Sequence, residues 1–436
     1  RTNQYYYACC GLATVTDPDS VTTYFDYDVL RRRVASLELR GGTTGVKRTN
    51  VLDAAGRVLQ ARRIGTDGTS ITLGQSQYDV LGRVTRETNA LYGVTTHTNV
   101  LVDNRLCITN IYPDGGTRIE TYYRDGRLES VSGTAAAPAR YQYGPGQDAN
   151  GYWRECTLMV KLNASGGTNE WAKTYNDGVG RSCQTTYAVA SQSFSPVRQF
   201  FYNEHGQLSR QVDPDGVATL YEYNAKGEMV YTAADIDQNG AIDLNGTDRI
   251  TGTVSDVTSA HGADVRRTRT YVWDTANSES SNLVSMVETS TDGLQSWQTR
   301  YRDGSTPVLS QRQTTYGANG TRTVTTIAPD NSYAIALYSY GRLSAATRFD
   351  SSSSQIGRTT YGADTHWRQN AVTDARNGTT THTFNDADQV VTTTTPAPAP
   401  GQLPQTTTTS YDTSLRAWKV TQPDGTSVTN AFYATG

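Results

Sequence analysis

The sequence predicts an all-β chain made of serial antiparallel β-hairpins. Three observations predict it. One turn motif recurs from end to end, a second turn motif alternates with it, and no segment carries sustained helical periodicity.

The first motif is clearest at Tyr78-Asp79-Val80-Leu81-Gly82-Arg83-Val84. Tyr is a strand former, Asp opens a type I turn by bonding back to the backbone, and Gly takes the φ > 0 position that a Cβ resists. Arg-Val then restarts the strand. Tyr27-Asp28 leads to Arg31-Arg32, with Arg31 in place of the Gly, and Asp53-Ala54-Ala55-Gly56-Arg57 keeps everything except the Tyr. Tyr123-Arg124-Asp125-Gly126-Arg127 reads as a turn shortened by one residue, and Tyr175 to Arg181 as one lengthened by one. Tyr202-Asn203-Glu204-His205-Gly206 and Tyr223-Asn224-Ala225-Lys226-Gly227 carry Asn for Asp. Tyr340-Gly341-Arg342, Phe384 to Val390 and Tyr411 to Arg416 continue the series.

The second motif is Pro-Asp-Gly or a near relative, at Pro18-Asp19-Ser20, Pro113-Asp114-Gly115, Pro214-Asp215-Gly216, Pro329-Asp330-Asn331 and Pro423-Asp424-Gly425. Pro pre-sets φ at the second turn position and Asp-Gly closes the turn. Neighbouring copies of the first motif lie roughly 20 to 27 residues apart, a spacing that signals a repeat architecture with about two short strands per unit.

The pattern resembles the YD-repeat (RHS-repeat) family, which includes shell-forming components of insecticidal toxin complexes, bacterial polymorphic toxins and the animal teneurins. The resemblance spans nearly the whole chain. It implies a continuous sheet, hairpin after hairpin, that spirals into the wall of a hollow shell or tube. It also implies a structural protein without enzymatic activity, in a bacterial secreted or cell-surface setting. The implied partners are other segments of the same or a longer polypeptide, an enclosed toxin cargo, or further copies in a surface assembly. Family members that release a cargo carry an aspartyl autoprotease near a D-P-x-G-L motif. Here Asp213-Pro214-Asp215-Gly216 is followed by Val217 and reads as a repeat turn.

Composition agrees with a thin wall. Hydrophobic residues make up 36% of 436 residues, with 28 Tyr against 7 Phe and 3 Met, which suits one sheet faced with Tyr rings better than a thick aliphatic core. The net charge of −3 gives no electrostatic argument for nucleic acid, and no apolar run approaches the roughly 20 residues of a membrane helix. The array is expected to run through 1–436 as a segment of a longer chain. Cys9, Cys10, Cys107, Cys156 and Cys183 show no zinc-like spacing, and Cys9-Cys10 reads as small residues buried in a strand. An extracellular adhesin is the alternative to a wall, with Trp153, Trp171, Trp273, Trp297, Trp367 and Trp418 as the aromatics that would hold glycans or proteins.

Along the chain, 1–130 holds the tidiest repeats. Residues 131–170 interrupt them with loops at Ala135 to Pro138, Gly144-Pro145-Gly146 and Gly166-Gly167. The repeats resume at 171–233, and 234–250 is an insertion with chemistry in it. Asp235-Ile236-Asp237-Gln238-Asn239-Gly240-Ala241-Ile242-Asp243 matches the first nine positions of an EF-hand-type calcium loop. Asp235, Asp237, Asn239 and Asp243 supply side-chain oxygens at positions 1, 3, 5 and 9, and Ala241 a carbonyl at 7. Gly240 makes the sharp turn and Ile242 anchors the loop. Gly246 stands where the bidentate acid belongs, with Asp248 as its substitute. The expected ligand is one structural Ca2+. His97, His205, His261, His366 and His382 are scattered, without a catalytic pattern. From Thr392 to Pro404 the Thr/Pro/Ala-rich run predicts an exposed edge or loop.

Overall fold

A computed structural model describes residues 2–432 apart from 10, 164, 189–194 and 303–305. The chain is all-β: 35 strands, β1 (Gln4–Ala8) to β35 (Ser427–Thr429), form one antiparallel sheet, and no helix occurs among the described residues. Strands pair with their neighbours in sequence, as in the succession of β2 (Gly11–Thr16), β3 (Thr22–Tyr27), β4 (Arg33–Leu39) and β5 (Gly45–Leu52). By packing the chain divides into unit 1 (Arg1–Leu101, Cys107–Ile119 and Gln313–Gly436) and unit 2 (Val102–Leu106 and Glu120–Arg312).

The Tyr-Asp-x-x-Gly-Arg turn is a clamp. Asp79 Oδ1 accepts the N–H groups of Leu81 and Arg83 at 2.9 Å, and Oδ2 accepts from Arg83 Nε at 2.7 Å. Gly82 takes φ +83°. The same Asp-to-Arg closure recurs at Asp28/Arg32, Asp53/Arg57, Asp177/Arg181 and Asp412/Arg416. Where Asn replaces Asp, the Arg is replaced as well. Asn203 Nδ2 donates to Gln207 Oε1, Asn224 Nδ2 to Glu228 Oε2, and Asn385 Nδ2 to Gln389 Oε1, at 2.8–3.1 Å. An acceptor-only carboxylate needs the guanidinium, whereas an amide supplies its own donor.

The Tyr and the Arg also couple one repeat to the next, which the sequence reading missed. Arg57 lies over the ring of Tyr78 at 4.7 Å, and the Tyr78 hydroxyl donates to the Val58 carbonyl at 3.0 Å. In unit 2, Arg181 covers Tyr202 at 4.2 Å, and Tyr202 donates to the Ser182 carbonyl at 2.8 Å. Each cation–π contact is worth about 0.5–1 kcal/mol at such half-exposed sites.

Two turn lengths need correction. In both cases the turn keeps its length and the Tyr slides. Tyr123 N–H donates to the Arg127 carbonyl, so Tyr123 itself occupies the turn-opening position and Asp125 bonds Arg127 from inside. Asp177 opens a turn of ordinary span to Arg181, and Asn176 takes the usual Tyr position, leaving Tyr175 buried in the strand. Gly144-Pro145-Gly146, expected as a loop, lies inside β13 (Ala139–Gln147), paired throughout with β14 (Trp153–Leu162). β12 (Leu128–Ser132) pairs β13 only at Ala139 and Arg140, so the missing Pro145 N–H faces no strand. Thr392 to Thr395 likewise continue β32 (Val390–Thr395), paired with β33 (Gln405–Tyr411), and only 396–404 is a connection.

The core is thin. Its one hydrophobic cluster among the described residues, in unit 2, is Leu220, Ala233 and Ile250, flanked by Tyr231, Ile242, Leu244 and Trp273. Cys156 is buried in β14, but Cys9 is exposed in the tight turn between β1 and β2 and does not lie in a strand, because the chain reverses there; Cys10 is outside the described residues.

Candidate functional site

The acidic loop joins β20 (Met229–Asp235) to β21 (Arg249–Ala260) in unit 2. Its ends are fixed by burial. Asp235 is 3% and Asp248 5% exposed, and Ile242 and Leu244 pack on the Leu220/Ala233/Ile250 cluster. Gly240 turns the chain at φ +79° and donates to Asp235 Oδ2 at 3.1 Å. Asp248 accepts from the Ile236 N–H at 2.9 Å and the Asp243 N–H at 3.2 Å.

One oxygen each of Asp235, Asp237 and Asp248 lie within 4.8 Å of one another. Asp243 is outside this trio and accepts from Asn239 Nδ2, which also donates to Asp237 Oδ2 at 3.0 Å. Asn239 Oδ1 takes the Ala241 N–H at 2.8 Å. Gly246 offers no side chain, and its carbonyl accepts from the Asn277 N–H at 2.8 Å.

A second assembly of polar groups lies wholly within unit 1, where turns near the N-terminus meet turns 297 to 325 residues later. The pairing follows a rule. The Pro-Asp-Gly edge of the early hairpins meets the Tyr-Asp edge of the late ones. Asp19 accepts from Arg322 Nε at 2.9 Å, and Arg40 Nη1 donates to the Tyr340 carbonyl at 2.6 Å. Thr66 N–H donates to the Thr365 carbonyl at 2.9 Å, and Asn89 Nδ2 to the Thr413 carbonyl at 2.7 Å. Arg416 Nη1 donates to Asp114 Oδ2 at 2.9 Å. Arg63, its side chain 7% exposed, holds Asp388 with two bonds of 2.5–2.6 Å. At Gly93 the approach is so close that a Cβ would collide with the Thr413 carbonyl.

The late edge includes a turn outside the Tyr-Asp series, Asp364-Thr365-His366-Trp367-Arg368. It has neither the Tyr nor the Gly, and Trp367 adopts φ +65°. The Asp-to-Arg spacing of four is the signal that finds it. His366 is buried beside Thr69 at 2.9 Å. Burial, then Arg63 and Arg368, push its pKa below the ordinary imidazole value.

These shifts set an acid response. Neutral His366 contributes stability above its unfolded pKa of about 6.5, and the contribution fades as pH falls through the lowered folded value. The turn carboxylates follow. The Arg83 backbone N–H and guanidinium hold Asp79 low, and the Thr69 hydroxyl and N–H hold Asp67 at about 2. Their contribution is complete above about pH 4 and is lost as pH falls toward about 2. Urea midpoints are expected to fall in two stages, below pH 6.5 and again below pH 4; His366→Gln should remove only the first. A midpoint flat from pH 7 to 3 would contradict both.

Three of the six Trp residues pack against the chain, and Trp171 is half-buried. Trp297 is buried, Trp273 packs on the core cluster and Trp367 lies under Arg40 at 4.6 Å, while Trp153 and Trp418 are exposed. Among the described residues, no helix is long and apolar enough to cross a membrane.

Residues 202–235, the two Asn-type turns and the strands around them, match the RHS repeat family model. No curated protein matches the sequence. Among solved structures, the chain is similar to the TcdB2-TccC3-TEV crystal structure, at 11% identity and a TM-score of 0.39, covering 100% of this chain and 27% of that one. It is also similar to the Tc holotoxin pore of Photorhabdus luminescens, at 12% identity and a TM-score of 0.36, covering 97% and 26%. The chain therefore spans about a quarter of the length of these proteins. The match to the RHS repeat spans residues 202–235, and hairpins on both sides of it close with the Asp–Arg form of the turn.

Proposed function

We propose that this chain is wall material: a β-ribbon whose turns cohere edge to edge, forming part of a shell or tube that encloses a toxin cargo or assembles at a bacterial surface. The observation that carries the reading is the contact between turns about 300 residues apart in unit 1. A ribbon one sheet thick has little core of its own. Bonding one edge to the other lets it cover area without one. The RHS repeat and the serial hairpins support a structural role, and the packing of Trp273, Trp297 and Trp367 favours a wall over an adhesin.

Negative-stain electron microscopy of the purified chain, alone and as the longest native polypeptide that contains it, tests this. Class averages are expected to show a stain-filled interior bounded by a thin wall. Solid globules or flexible rods would remove the wall reading.

A further inference from the structure

We infer that the loop from Asp235 to Asp248 binds one Ca2+ through the carboxylates of Asp235, Asp237 and Asp248, and that the ion ties this connection to the hydrophobic cluster beneath it. Two independent observations converge. The three carboxylates present oxygens within 4.8 Å of one another, and none of them is in an ion pair among the described residues. Separately, Asp235 Oδ1 is buried with no hydrogen-bond partner, on a side chain that is 97% shielded (3% exposed). A buried carboxylate oxygen left without a donor is costly, and a cation placed among the three oxygens removes that cost and their mutual repulsion.

The donor chemistry selects the ion. All three side chains are hard oxygen donors, with no His or Cys in the group, which favours Ca2+ or Mg2+ over transition metals. Backbone N–H groups of Gly240, Ile236 and Asp243 already orient Asp235 and Asp248, and each carboxylate keeps lone pairs to spare. Asp237 and Asn239 lie on the exposed side, where water completes the shell. Such a loose, partly hydrated site suits the larger ion, which tolerates irregular coordination, over Mg2+ with its strict octahedron. Because Ile242 and Leu244 of the same loop pack on Leu220, Ala233 and Ile250, binding is linked to the stability of that cluster.

Chelator-treated full-length chain is titrated with CaCl2 by calorimetry and melted with and without the ion. One site per chain is expected, with Tm raised by roughly 3 °C or more at about 5 mM Ca2+ and less by equal MgCl2. Asp235→Asn and Asp248→Asn should abolish both signals. Asp237→Ala, at an exposed position, should fold normally and still weaken binding at least about tenfold. The proposal fails if wild-type chain shows no calcium heat and no shift, or if Asp237→Ala shifts as much as wild type. The wall reading stands or falls separately, on the microscopy.

Discussion

Asp388→Asn is expected to destabilise the chain by about 2–3 kcal/mol, more than Arg63→Met does. Arg63 is the buried member of the pair, 7% exposed against 43% for Asp388. Removing the carboxylate strands a guanidinium away from water, the expensive way to break such a pair. Removing the guanidinium leaves Asp388 half in solvent with Arg368 still 3.2 Å away. Asn is the right replacement because position 388 has φ +63°, which Asn tolerates and most residues do not. Urea unfolding of the two single variants and the double variant measures the difference. Equal losses, or a larger loss for Arg63→Met, would show that burial of the Arg63 guanidinium does not set the cost of breaking the pair.

In unit 2 the largest effect is expected at His261. This residue stands at the tip between β21 and β22 (Ala263–Trp273), where His261 and Gly262 both have positive φ, as a type I′ turn requires. Its ring stacks on Trp297 at 4.3 Å and its Nε2 meets Glu288 Oε2 at 2.8 Å. Glu288 pairs in register with Arg267 and Trp297 on the neighbouring strands, but its side chain is only 3% exposed, and Arg267 is bonded to Asp256. His261→Asn keeps the turn and removes both contacts, at an expected cost of about 3 kcal/mol. Glu288→Gln should cost under about 1 kcal/mol, because an amide can still bond the imidazole. If Glu288→Leu added to His261→Asn recovers nothing, the unpaired carboxylate is not the source of the loss.

The turns were legible in the sequence because their chemistry is local. Asp, Gly and Arg within five residues determine the closure, and Asp79 and Arg83 do what their spacing implies. The errors came from using Tyr as the anchor. At Tyr123 and Tyr175 the ring moves by one position while the backbone turn keeps its span, Asp125 reaching Arg127 from inside the first and Asp177 clamping Arg181 across the second, and at Asp364 the clamp persists with no Tyr before it. Pro145 misled for a different reason. Proline argues against a strand only where a neighbour needs its N–H, and the length of β12 is not written near position 145. The acidic loop could be located from its alternating oxygens, whereas the withdrawal of Asp243 toward Asn239 depends on the folded backbone. Nothing in the repeat marks Arg40, Arg63 or Asn89, whose partners lie some 300 residues away.

That separation has a consequence in time. At roughly 5 to 20 residues per second of synthesis, the stretch between Arg40 and Tyr340 takes about 15 to 60 s to emerge, while a hairpin closes in about 1–10 μs. The early hairpins are therefore complete long before their distant partners exist. What waits is a row of turns whose closing backbone bonds are already made within each hairpin, as at Asp17 to Val21 and Asn89 to Gly93, with the Thr66 N–H left over for the Thr365 carbonyl. A nascent ribbon that keeps its unmade contacts at turns offers no open strand ladder to a neighbouring chain along that margin, so slow closure adds little risk of aggregation there.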